Sequence, residues 1–344
     1  MEYSQQPDTL RQVIEDLLDK NQELSLDYPS AFSDLEAEGL ALVKQAWPRI
    51  APDRRLALLV DLEQFAEMDT LVNFDEIGRF ALTDPDPRAR AAAIRLLWED
   101  QDPHLIPVYI KMMERDEDEQ VRAAAAKALG LYVYLGEIEE ISTAEHQRVE
   151  DRLLSVMSGS EPVSIRQNAL ASLGYSGRDE VPPLIQAAYD SGERQWVISA
   201  LQAMGRSADT RWANAVLLKI DHPIPEIQFE AVRAAGHLEL AAARQPLLEM
   251  VEDRERVTDE VRTAAIWSLT QIGGEEVRVL LEQLIDESED EEDIEYLEGA
   301  LENLEFTDGF PVFDMFDFDE EENTIDVINL DDIDDEESND DRVF

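Results

Sequence analysis

Six residues on or beside one helical column carry the binding chemistry legible in this chain. Arg95, Lys127, Gln202, Arg233 and Trp267 each stand six residues after the start of a short helical segment, and Phe229 lies one turn before Arg233. Cations interleaved with aromatic faces suit recognition by ion pairing and cation–π attraction. Such a column would hold a partner helix or an acidic peptide. Read without function, it is an ordinary solvated helix face. Bond-making chemistry has little to work with. The chain has no cysteine, and its histidines, His104, His146, His222 and His237, form no H-x-x-x-H pair. Phosphate-cradling glycine loops, a G-x-S-x-G turn and a calcium loop are also missing from the sequence. The chain is therefore expected to be non-enzymatic, with no metal and no cofactor.

The column runs through an acidic molecule. Among 344 residues, 79 Asp and Glu face 29 Lys and Arg, for a net charge of −50. Such a field repels phosphate backbones, so nucleic acid is not an expected ligand, and a basic or apolar protein surface is. No run of about 18 apolar residues could span a membrane, and the N-terminal stretch is acidic without an apolar signal core. A soluble, cytoplasmic protein is expected.

The elements that position the column repeat. Helical segments are expected to start at residues 89, 121, 165, 196, 227 and 261, and each has alanine four residues on: Ala93, Ala125, Ala169, Ala200, Ala231 and Ala265. A weaker seventh segment starts at Ile294. Steps near 31–34 residues, with one 44-residue step around an insertion at Leu131–Glu145, mark an array of helical pairs. A recurring alanine implies a fixed gap between stacked helices. Proline opens several of the first helices, as at Pro182 and Pro183. Gly130, Gly174, Gly205 and Gly236 are expected to close second helices in the left-handed conformation. Arg90, Arg122, Arg166 and Arg262 are expected to pair with acids such as Asp86 and Asp118 one turn upstream, or to bridge neighbouring repeats. Trp47, Trp98, Trp196 and Trp212 are expected as core or inter-repeat filler, leaving Trp267 as the surface tryptophan.

The segment Asp116–Gly130, with close variants at Asp84–Trp98, Glu161–Gly174 and Asp253–Leu269, resembles the HEAT repeat in its bacterial, phycobilisome-lyase-like form, D-x-x-x-V-R-x-x-A-x-x-A-L-G. The resemblance covers about residues 70–305. It implies an all-α, right-handed α-solenoid, an α-α superhelix whose second helices line the concave surface. Deoxyhypusine hydroxylase, a di-iron enzyme of HEAT repeats, depends on His-Glu dipeptides, and this chain has none.

The expected organisation is an N-terminal helical cap over 1–70, HEAT-like repeats over 71–305, and a disordered acidic–hydrophobic tail over 306–344. That tail holds 16 Asp and Glu against one Arg. The expected function is a non-catalytic scaffold or adaptor for protein–protein interaction. The alternatives are a bilin-lyase-like accessory protein and an acidic chaperone for a basic client.

Overall fold

A computed structural model describes residues 6–19, 25, 28–69, 71–253 and 256–308. Among them are seventeen α-helices and no strand. In chain order they are α1 (Gln6–Leu18), α2 (Ala37–Ala46), α3 (Pro52–Met68), α4 (Asp75–Ala81), α5 (Pro87–Leu96), α6 (Leu105–Arg115), α7 (Glu119–Glu137), α8 (Thr143–Ser158) and α9 (Val163–Leu173). There follow α10 (Val181–Asp190), α11 (Arg194–Arg206), α12 (Ala213–Leu217), α13 (Pro225–His237), α14 (Arg244–Glu252), α15 (Asp259–Ile272), α16 (Glu275–Glu287) and α17 (Glu291–Asp308). The odd-numbered helices from α3 to α17 pack each on the next, forming one continuous row. From α4 on, each even-numbered helix packs on the odd-numbered helix that follows it, forming an outer layer along that row. The molecule is an α-solenoid in which each pair meets its neighbours.

Local sequence explains where the helices begin. Asp86 accepts a hydrogen bond from the Arg88 N–H at 3.0 Å, and Asp118 accepts from Gln120 at 2.9 Å. Each satisfies donors that a helix start leaves unpaired. Ser142 and Thr258 do the same for α8 and α15. Prolines 182 and 183 occupy the first turn of α10, where their missing N–H costs nothing.

The alanine column is buried without remainder: all six residues are 0% exposed. The glycines do something other than expected. None of Gly130, Gly174, Gly205 and Gly236 has a positive φ. Instead each faces the next odd-numbered helix at close range. A Cβ on Gly174 would stand 2.5 Å from the Ala203 Cα, and Gly205 opposes Ala234 in the same way. Gly130 and Gly236 oppose serines, and the Ser172 and Ser268 hydroxyls donate back across the gap to the carbonyls of Ala126 and Val232, both at 2.9 Å. The repeat therefore spends its glycine on helix-to-helix approach, and its small partner seven residues into the next segment completes the seam.

Arg90, Arg122 and Arg166 bridge repeats, and do not pair with the acid one turn upstream. Arg90 makes a two-pronged contact to Asp116, at 2.7 and 2.9 Å, while Asp86 is taken by Arg88. Arg122 reaches Glu161 at the edge of the next repeat. Arg166 lies over the Trp196 ring at 5.5 Å, also one repeat on. Arg262 turns back to the Val251 carbonyl. The Arg90 and Asp116 side chains are only 12% and 9% exposed, so the pair is largely desolvated. Asp116→Ala leaves that guanidinium uncompensated and is expected to cost about 3 kcal/mol, measured by urea unfolding. Asp53→Ala, which removes an exposed partner of Arg88, should change little.

The N-terminal elements join the row directly, because α3 packs on α5. A buried cluster ties the junction. The Trp47 indole donates to Asp84 at 2.6 Å, Arg55 stands 3.4 Å from the same carboxylate, and both charged residues are about 95% buried. At the other end, α17 packs on α15 and runs to Asp308, so 306–308, expected in the tail, are helical. Residues 309–344, the rest of the expected disordered tail, lie outside the described residues.

Candidate binding groove

The inner row of helices forms a groove of about 1060 Å³. Four cations point into it: Arg95 from α5, Lys127 from α7, Arg206 from the end of α11 and Arg233 from α13. Three aromatic side chains share the wall, Trp98, Tyr134 and Tyr175. Glu63, Glu67 and Glu99 stand toward the α3–α5 end.

The cations differ in how far they are already satisfied. Arg95 is bound by Glu63, with both carboxylate oxygens within 3.0 Å of its Nε. Arg233 lies over the Phe229 ring at 5.6 Å and reaches Glu230 only at 4.0 Å. Arg206 donates to the Ala171 carbonyl at 2.8 Å and covers the Tyr175 ring at 5.2 Å. Tyr175 in turn packs against Tyr134, ring centres 5.5 Å apart. Among the described residues, neither Lys127 nor Arg206 has a carboxylate within 4.0 Å. Lys127 reaches solvent, yet its pKa lies below the usual lysine value. Desolvation by the groove is the main cause, then the charge of Arg206, with Arg233 and Arg95 adding to it against Glu230. An anion seated there would relieve that repulsion.

The expected column is thus divided. Arg95, Lys127 and Arg233 come together in the groove. Gln202 does not line it and donates to Glu230 at 2.7 Å. Phe229 is half-buried under Arg233. Trp267 is half-buried against His237, ring centres 4.9 Å apart. Although His237 keeps an exposed edge, burial of its ring and the nearby Arg233 and Arg206 lower its pKa to about 4. The fold therefore favours neutral His237 over an unfolded-state value near 6.5. Its contribution to stability is complete above about pH 6.5 and is lost as pH falls through about 4. Thermal midpoints of His237→Gln should fall less steeply than those of the unchanged chain across that window.

Sequence reading missed Arg206 and the groove aromatics. The column position in α9 is Ala171, only 3% exposed, and Arg206 reaches over from the next odd-numbered helix to fill the vacant place. Trp98 was expected as core or inter-repeat filler but is 52% exposed. It occupies the repeat position that four other segments give to glycine, where an indole cannot fit against the next helix. That mismatch was a readable signal. Trp47 and Trp212 are buried, as expected, and Trp196 is half-buried.

A model of HEAT repeats matches residues 79–146 and 213–302. The match to HEAT repeats is confined to those two segments. In solved structures, the array is similar to the complex of CpcE and CpcF of phycocyanin lyase from Nostoc sp. PCC7120. The identity is 17% and the TM-score 0.43, covering 67% of this chain and 94% of that one. It is also similar to human deoxyhypusine hydroxylase, with 15% identity and a TM-score of 0.34, covering 88% and 97%. An engineered protein matches at 16% identity and a TM-score of 0.37, covering 86% and 88%. No curated protein matches the chain. No helix among the described residues is long and apolar enough to cross a membrane.

Proposed function

We infer that the HEAT array is a non-catalytic adaptor whose inner groove takes an acidic segment of a protein partner, in a cytoplasmic setting. One observation carries this reading: a chain of net charge −50 holds four cations in a single groove, two of them without a carboxylate partner among the described residues. The surrounding acidic surface repels anions at long range and is screened by salt, while the groove attracts them at contact. A partner therefore needs a short acidic stretch on an otherwise basic or apolar surface. Trp98, Tyr134 and Tyr175 add flat apolar faces of the kind that dominate binding hot spots.

Residues 309–344 of the chain have the chemistry this groove accepts, acids alternating with Phe, Ile, Val and Leu. Deleting them is expected to raise the affinity for a labelled acidic–aromatic peptide several-fold in fluorescence anisotropy. An unchanged affinity would remove self-occupancy and leave the groove reading intact. Failure of the peptide to bind either chain would remove the adaptor reading itself.

A second reading has a specific observation in its favour. Arginines beside stacked aromatics also suit a flat anionic chromophore, as a bilin-lyase-like accessory would need. Mixing the chain with a free bilin should then shift the bilin's visible absorption, and Arg206→Glu should abolish the shift.

A further inference from the structure

The insertion that lengthens one repeat builds a second cluster, away from the groove. Helix α7 runs on to Glu137, and α8 begins at Thr143, placing His146 and Glu150 one turn apart on one face. One side-chain ligand atom from each of Glu137, His146 and Glu150 lies within 4.8 Å of the other two. The His146 Nε2 is 3.7 Å from a Glu137 oxygen and 3.5 Å from a Glu150 oxygen. It is buried and has no hydrogen-bond partner. Glu150 is itself only 3% exposed.

Those distances are wrong for direct hydrogen bonds, which need about 2.7–3.2 Å. They are close to the spacing of ligands around a small ion. Atoms bound to zinc at about 2.0–2.1 Å in a tetrahedron lie about 3.3–3.4 Å apart. The surroundings hold each ligand in place. Gly136 makes room for the imidazole, because a Cβ there would collide with the His146 ring. The Gly177 N–H donates to the same Glu137 oxygen at 2.6 Å, and the Ser176 hydroxyl donates to the same Glu150 oxygen. Both come from the turn after α9. Donors that fix ligating carboxylates from behind are the usual outer layer of a metal site.

We propose that Glu137, His146 and Glu150 bind one zinc ion, which clips the inserted α7–α8 hairpin to the turn at Ser176–Gly177. One imidazole nitrogen and two carboxylate oxygens leave a fourth position for water. The sequence signal is His146-x-x-x-Glu150 on α8 with Glu137 nine residues before the histidine, not the His-x-x-x-His spacing that is absent. The site is independent of the groove reading, since none of its residues lines that groove.

The test uses the full chain, stripped with a chelator and desalted. Zinc is titrated calorimetrically in millimolar magnesium, which occupies weak acidic sites. One equivalent should bind at least a hundredfold more tightly than the remainder, and the thermal midpoint should rise with zinc. Cobalt should give the intense visible bands of a four-coordinate centre. Glu137→Gln, which alters an exposed ligand without touching the core, and His146→Asn should each weaken the tight equivalent at least tenfold. Far-ultraviolet circular dichroism checks that both variants remain folded. Absence of a tight equivalent, or equal uptake by a folded Glu137→Gln chain, overturns the proposal.

Discussion

Gly174→Ala is expected to destabilise the chain by about 2–3 kcal/mol, although alanine is the better helix former. Two effects compete. Helix propensity favours alanine over glycine by at most about 1 kcal/mol, and less at Gly174, which stands at the C-terminal cap of α9 with a helical backbone. Against it stands the seam between α9 and α11, where the new methyl would meet the Ala203 Cα at 2.5 Å and its carbonyl oxygen at 2.7 Å. Those are backbone atoms with no rotamer to give, so the two helices must separate. Separation also opens the neighbouring contacts of two buried helices. Gly299→Ala supplies the control. It lies in α17, and a Cβ there meets nothing within 4 Å. Propensity acts alone at that position, and a gain of roughly 0.5–1 kcal/mol is expected. Urea unfolding of the two variants should give opposite signs. Equal signs would mean that the seam is looser than its distances imply.

The double variant Lys127→Glu with Arg206→Glu is expected to reduce affinity for an acidic peptide by at least a hundredfold. It turns two of four groove cations into anions, in a chain already at −50. Each reversal removes an attraction and adds a repulsion in a partly desolvated cleft, where charges act more strongly than in bulk water. Arg206→Glu has a second effect, because the guanidinium also caps the Ala171 carbonyl and covers Tyr175. Lys127→Glu alone separates the two, since the ammonium has no side-chain partner among the described residues to lose and the variant should leave the unfolding midpoint in place. Anisotropy at two salt concentrations gives the check. The unchanged chain should lose affinity as salt rises, and the double variant should show little salt dependence of the same sign. Retained affinity in a folded Lys127→Glu, Arg206→Glu chain would place the binding surface elsewhere.

Much of the fold is legible in the sequence because the repeat is built from packing residues that recur. The alanine column announces the stack, and every one of those alanines is buried. The glycines were legible as special but not in their role. A glycine near a helix end serves equally well for a left-handed turn or a close approach, and only the next helix decides between them. The arginine partners were equally hidden. Spacing along one helix points to Asp86, while the geometry of the stack delivers Asp116. At the groove, helical periodicity located Arg95, Lys127 and Arg233, since position six leaves the core stripe in each repeat. It could not find Arg206, which enters the column from a different position, or Tyr134, which belongs to the extension of α7. Trp267 fitted the periodicity but packs against His237, because neighbouring side chains, not helical phase, fix how much of an indole reaches solvent.

The glycine seam also bears on how such a chain changes length between generations. From Gly174 to Gly205, and from Gly205 to Gly236, the interval is the same number of residues, and each glycine is met by a small residue at the same place in the segment that follows. Excising 175–205 from the coding sequence would join Gly174 to Arg206 and set that glycine opposite Ala234, the residue Gly205 faces at present. The splice keeps the seam closed, keeps Arg206, and discards Tyr175. Deletion or duplication of one such cassette is thus a structurally quiet event that resizes the recognition surface while the scaffold closes behind it. Variation in this molecule has a natural quantum, and the glycines mark its edges.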